Sequence, residues 1–241
     1  GDYILNGQKC FITAWEEAAH ALVVARTSPV DAAKRTSGLT LFIVDTKAKG
    51  TSSTEMDLAV YLPEKNYVVN FDDVAVPAES ILGAEGRGIE ALFDCLNPER
   101  LLVAAMNLGM ADHVLNRAVE YAKVRAPFDA PIGSYQSVQH PMAIAKTRIE
   151  AARGMLYKAA QKYDEGKNIG LEANMVKYLS AEAFKCAADI AATAFGGSYA
   201  DLSQDIIPFY LMAKLVENSP INNNIVLSFI AQQALGLPKS Y

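Results

Sequence analysis

At Gly86 the hydrophobic pattern of this chain changes period, and that change fixes the kind of fold available to it. Before Gly86, apolar residues come in short runs rich in β-branched side chains. These are Tyr3-Ile4-Leu5, Ala21-Leu22-Val23-Val24-Ala25, Leu39-Thr40-Leu41-Phe42-Ile43-Val44 and Tyr67-Val68-Val69-Asn70-Phe71. Each has the length of a strand and is bounded by polar or turn-forming residues. Asn6-Gly7, between Tyr3–Leu5 and Lys9–Thr13, has the composition of a two-residue hairpin turn. After Gly86, residues Ile89, Leu92, Phe93, Leu96, Leu101, Leu102, Ala105 and Leu108 recur three or four apart, as on one face of a helix. The pattern predicts an α+β fold. A partial β-barrel or sandwich domain spans residues 1–85, and an up-down four-helix-type bundle spans 86–241.

The helices can be bounded by their breakers. The first runs to about Arg125, where Ala126-Pro127-Phe128-Asp129-Ala130-Pro131 stops it. The second starts near Gln136, with Pro141 expected near its first turn, and stops at Asp164-Glu165-Gly166. The third spans about Leu171–Phe195 and ends on Gly196-Gly197, suited to a left-handed cap. Two shorter helices follow near 204–215 and 222–235. Alanine pairs at 104–105, 151–152 and 187–188 allow close helix approach.

Composition narrows the function classes. The chain is 51% hydrophobic and 20% charged, as expected of a globular domain with a sizeable core. A net charge of -5 gives no reason to expect nucleic acid or an anionic membrane as partner. No apolar run reaches the roughly 18 residues a membrane span needs. Cys10, Cys95 and Cys186 are far apart and form no CxxC pair. With His20, His113 and His140 equally scattered, no metal site is expected, and reduced thiols in a cytoplasmic protein are. The chain opens directly on a strand-like segment without a charged leader, which reads as a protein lacking an N-terminal portion.

Six modest motifs, in order, carry more than any one of them. They are Asn6-Gly7-Gln8-Lys9-Cys10-Phe11-Ile12-Thr13; Val76-Pro77 with Gly83 and Gly86-Arg87-Gly88; Arg125 to Ile132 with Gln136; Asp164-Glu165-Gly166; Phe195-Gly196-Gly197; and the ending Ala231–Tyr241. Their succession resembles the acyl-CoA dehydrogenase family from the first residue to the last. The resemblance implies a middle β domain, in part, and a C-terminal helical domain. It also implies bound FAD, α,β-dehydrogenation of an acyl-CoA thioester, electron-transfer flavoprotein as redox partner, and a homodimer or homotetramer.

The resemblance also assigns residues. Thr13 matches the threonine near flavin N5, and Phe11 replaces a tryptophan flanking the ring. Arg125 matches an arginine that reaches the pyrophosphate across the dimer interface, with Phe128 and Gln136 beside it. Gly196 and Gly197 match glycines at the adenosine end, and Asn222 and Asn224 hold positions of polar flavin contacts. The reaction needs a carboxylate base. At the usual position near the C-terminus this chain has Pro220, three residues from Glu217. A second arrangement in the family puts the base on the first long helix before an arginine, and Asn97-Pro98-Glu99-Arg100 has that form. Glu99 is therefore the expected base, or else a carboxylate favoured by a helix N-terminus. Asn97 and Arg100 are expected at the substrate. Asp129, Thr193, Leu211 and Met212 depart from the family pattern. Two alternatives remain: an acyl-CoA oxidase, and a non-catalytic remnant serving oligomerisation or binding.

Overall fold

The structure, a computed structural model, describes residues 2–60 and 62–239. Gly1 of the first strand-like segment and the last two residues of the Ala231–Tyr241 motif lie outside the described residues. The chain forms two compact units, residues 1–96 and 97–241.

The first unit is a pair of open antiparallel sheets. One has the order β1 (Tyr3–Thr13), β5 (Asn66–Val76), β4 (Thr51–Glu55), and the other β2 (His20–Arg26), β3 (Leu39–Asp45), β6 (Ile81–Leu82). Leu5, Val23, Phe42, Val44, Val69 and Val74 from both sheets share one core, so the sheets pack face to face as a sandwich. Trp15, buried on the loop after β1, meets Phe71 edge-on.

Asn6-Gly7 does not turn a hairpin. β1 runs straight through it and pairs with β5, the register shifting between Leu5 and Gly7. Gly7 takes φ 144° and Asp73 on the facing strand φ 50°. The Asn6 side-chain amide donates to Asp73 Oδ1 and its oxygen accepts from Asp73 N–H, both at 2.9 Å. Asn-Gly here builds a bulge, which needs the same positive φ as a hairpin turn. β4 was not anticipated. Thr-Ser-Ser-Thr-Glu has no apolar alternation because it forms a polar edge strand.

The first helix, α1 (Gly88–Val124), begins in this unit. Gly86 N–H donates to Thr40 Oγ1 at 2.8 Å and Gly38 N–H to Gly86 O at 3.1 Å. A Cβ on Gly88 would come within 2.8 Å of Leu41 N and 2.9 Å of Thr40 C. Gly86-Arg87-Gly88 is glycine-rich because helix entry lies directly against the β3 backbone.

The second unit holds the rest of α1 with α2 (Gln136–Asp164), α3 (Gly170–Phe195), α4 (Ile207–Leu215) and α5 (Asn223–Leu235). Leu108, Val114 and Ala118 of α1, Ala145 and Ile149 of α2, and Phe184 and Ala188 of α3 form its main core. A smaller cluster joins Leu101 and Ala104 to Ala159, Ile169, Ala173 and Val176. The early part of α1 thus meets the late part of α2, an antiparallel, up-down arrangement. Pro98 lies inside α1, and Pro141 lies in the second turn of α2, beyond the expected first. Gly196 caps α3 at φ 57°, ψ -143°. Asn222 caps α5, accepting from Asn224 N–H at 2.8 Å.

Gly88→Ala should push the helix start off β3 and destabilise the β unit by about 1–3 kcal/mol. Chemical denaturation followed by Trp15 fluorescence measures it, and an unchanged midpoint would contradict the tight approach.

Candidate active site

Glu99 lies about three turns inside α1, so the helix N-terminus cannot account for it. It is half-buried, and its Oε2 is a buried atom with no hydrogen-bond partner among the described residues. Burial pushes the Glu99 carboxyl above the usual carboxylate range, while the neighbouring Arg100 pulls it back down. Arg100 is itself buried and donates from Nη1 to Asn97 Oδ1 at 2.8 Å. The trio expected from sequence is thus brought together: a carboxylate raised by desolvation, a buried guanidinium beside it, and an amide holding the guanidinium.

Glu217, the other carboxylate near the expected base position, is engaged elsewhere. Its oxygens lie 3.2 Å from Lys185 Nζ and 3.4 Å from Lys214 Nζ. Burial works to raise it, but the two lysines prevail and hold it below the usual range. Pro220 occupies the connector between α4 and α5.

A buried polar seam runs beside Arg100 and was missed in the sequence. Lys177, Asn107 and Ser180 are fully buried and Asn223 nearly so. Lys177 Nζ donates to Ile221 O and Asn223 Oδ1, both at 2.6 Å, and to Glu217 O at 3.3 Å. Burial, then the nearby charge of Arg100, lowers the Lys177 pKa to about 8. Asn107 Nδ2 donates to Ser180 Oγ at 3.2 Å, and Ser180 Oγ donates to Lys177 O at 3.0 Å. Asn107 Oδ1 has no partner among the described residues. The available signal was Lys177 itself, a charge in step with Ala173, Val176, Ser180 and Phe184 on the apolar face of α3.

The remaining expected residues fall in separate places. Phe11 and Thr13 are exposed on β1 of the β unit. Phe11 takes φ 57° at a second register shift, between Lys9 and Ile12, which turns its ring outward and excludes it from the core. A bulky residue held in that region costs about 1–3 kcal/mol. Thr13 Oγ1 donates to Asn66 Oδ1 at 3.2 Å.

In the helical unit, Arg125, Phe128 and Gln136 are exposed around the α1–α2 connection. The Ile132 N–H donates to Arg125 O at 2.8 Å and ties that loop. Asp129 sits within it at φ 61°. Phe128, Ile132, Tyr135, Met142, Ile190 and Thr193 line a largely apolar cavity of about 370 Å³. A second recess of about 470 Å³ is lined by Asp189, Ala192, Thr193, Gly196, Tyr199 and Tyr210, so the two share Asp189 and Thr193. Tyr121 stacks on Phe195, the residue before Gly196, with ring centres 4.2 Å apart. Gly196 and Gly197 are exposed, and a Cβ on either would meet nothing within 4 Å. Asn224 is exposed, whereas the Asn222 side chain is engaged as a helix cap. No helix among the described residues is long and apolar enough to cross a membrane.

The acyl-CoA dehydrogenase middle-domain family model matches residues 1–74, and the acyl-CoA dehydrogenase C-terminal-domain model matches residues 86–235. The chain belongs to the acyl-CoA dehydrogenase family. The acyl-CoA dehydrogenase FadE12 of Mycobacterium tuberculosis is 40% identical over 242 residues, covering 100% of this chain and 62% of that protein. The butyryl-CoA dehydrogenase structure from Megasphaera elsdenii superposes with a TM-score of 0.89 at 33% identity, over 97% of this chain and 61% of that one. An FAD complex of PigA does so with a TM-score of 0.90 at 29% identity, over 98% and 61%. The chain therefore spans less than two thirds of the length of each of these three proteins.

Within the family's helical domain as this chain builds it, Ser180→Ala should strand the buried Asn107 amide and cost about 1–3 kcal/mol. Urea denaturation followed by far-ultraviolet circular dichroism checks this, and a change under a few tenths would show the amide re-pairing.

Proposed function

We propose that this protein takes part in FAD-dependent α,β-dehydrogenation of an acyl-CoA thioester, with Glu99 as the base that removes the α-proton. The observation carrying the reading is the Glu99 Oε2 atom, buried without a hydrogen-bond partner among the described residues and attached to a carboxyl whose proton affinity is raised by burial. A carboxylate whose proton affinity is raised by partial burial suits proton removal from carbon next to a thioester carbonyl better than one held low. Arg100 favours the ionised carboxylate before reaction, and Asn97 holds Arg100 in place.

FAD, when bound, supplies the acceptor for the β-hydride. The residues present suit such a group. Arg125 offers a cation to a pyrophosphate, and the exposed Gly196-Gly197 backbone leaves room for close approach at the adenosine end. Phe128 and Gln136 flank Arg125. Asn224, with Asn222 as its cap, Phe11 and Thr13 are the remaining proposed contacts. Asp129 adds a negative charge to the Arg125 loop and weakens that site.

We take electron-transfer flavoprotein as the acceptor rather than oxygen, a cytoplasmic location, and a homodimer or homotetramer. Association is supported by exposed apolar side chains on the helical unit, Leu102, Met106 and Leu235 being more than 60% exposed. The competing reading, a non-catalytic binding module, is favoured by Pro220 and by the engagement of Glu217 with Lys185 and Lys214.

The purified protein should be yellow or become so on adding FAD; a colourless protein that retains no FAD would sink the flavoenzyme reading. Glu99→Gln should keep FAD and lower kcat by about 10²–10⁴-fold, and unchanged turnover would remove Glu99 as base. Because the folded Glu99 pKa is raised, activity should fall as pH drops through a value above the ordinary carboxylate range. Stopped-flow flavin bleaching across pH measures that limb.

A further inference from the structure

Lys177 is a charge without a surface. Its side chain leaves α3 inside the helical unit, and all three ammonium hydrogens find oxygens: Glu217 O at 3.3 Å, Ile221 O at 2.6 Å and Asn223 Oδ1 at 2.6 Å. Two of those acceptors belong to the α4–α5 connector and the third to the first turn of α5. The connector is otherwise held by Asn223 N–H donating to Glu217 O at 2.9 Å and by the Asn222–Asn218 side-chain bond at 2.6 Å. Asn223, having accepted from Lys177, donates from Nδ2 to Glu182 Oε1 at 3.3 Å, which returns the clamp to α3. The charged groups around the ammonium are Arg100 on α1, Glu182 on α3 and Glu217 on the connector. Arg100 is the same residue that stabilises the Glu99 carboxylate.

We propose that Lys177 is a positioning residue, whose buried ammonium clamps residues 217–223 onto α3 and thereby keeps Arg100, held by Asn97, where its charge favours the Glu99 carboxylate. The physical argument is one of competition. Three oxygens face the ammonium; without it Ile221 O and Asn223 Oδ1 would be acceptors lacking a donor, each costing about 1–3 kcal/mol, while Glu217 O would keep only the Asn223 N–H. Arg100 is the other cation whose charge acts on Lys177. Removing the Lys177 charge frees those oxygens to draw the guanidinium away from the carboxylate. The clamp itself stands on the hydrogen bonds; its consequence for Glu99 rests on the proposed base.

Lys177→Met keeps the length and apolar stem and deletes the ammonium. Hydrogen–deuterium exchange of the whole chain should show amides of residues 217–223 exchanging about tenfold faster or more, with α1 and α2 nearly unchanged. In the active protein the acid limb of kcat/KM should move to higher pH, which general loosening would not cause. Exchange unchanged within twofold, or raised equally across the helical unit, overturns the clamp. Asn223→Leu removes one acceptor and leaves the lysine, so it decides the question if Lys177→Met does not fold. Faster exchange confined to 217–223 is then expected, and none would overturn the proposal. A clamp seen by exchange with no shift of the acid limb overturns the link to Glu99, while loss of the Glu99→Gln effect separately overturns the base.

Discussion

A buried ammonium must be met by oxygen, and in the helical unit that requirement organises the segment 217–223 beside α3. Taking a lysine out of water costs several kcal/mol unless its hydrogens are accepted. Lys177 meets the condition by drawing in Glu217 O, Ile221 O and Asn223 Oδ1 from a segment 40 residues and more away. The connector between α4 and α5 therefore has its carbonyls turned inward. The same constraint explains why the apolar core comes in two parts: Leu101, Ala104, Ala173 and Val176 form one cluster and Leu108, Ala111, Ala181 and Phe184 the other. Along α1 and α3, Asn107, Lys177 and Ser180 fall between them.

The helices were legible because their period repeats many times. Misreading one residue in a helix of this length moves its end by a turn at most, and Gly196 and Asn222 marked two ends by their own capping chemistry. The β unit was less legible for a reason visible at Asn6-Gly7. Those residues specify a backbone conformation with positive φ, and both a hairpin and a bulge use it. Which one forms depends on Asp73, on a strand more than sixty residues away. Phe11 poses the same problem: its ring is outward because of a bulge that sequence alternation does not encode. β4 has no apolar residue to betray it, since an edge strand can take its stability from the backbone ladder with β5 alone.

The candidate site could be named from sequence as residues and not as environments. Asn97, Glu99 and Arg100 lie together because they share adjacent turns of one helix. Their chemistry depends on what surrounds them, including the charge of Lys177, which interacts with that of Arg100. That lysine stood out on an apolar face, but its three acceptors are on separate residues of a loop and a helix cap, with no spacing that links them to it.

Glu99 and Glu217 show what environment does to one chemical group. Both carboxylates are partly buried. Glu217 faces Lys185 and Lys214, and two cations overcome burial and hold its proton affinity low. Glu99 has Arg100 as its opposing charge among the described residues, and burial wins, so its affinity rises. A carboxylate held low by two ion pairs is a weak base, and to accept a proton it must first give up those pairs. A carboxylate raised by desolvation gives up less on protonation, and among the described residues Oε2 has no hydrogen bond to break. Under the proposed reaction, the absence of a carboxylate at Pro220 is therefore compatible with catalysis: Glu99 is the one of the two whose surroundings favour taking up a proton.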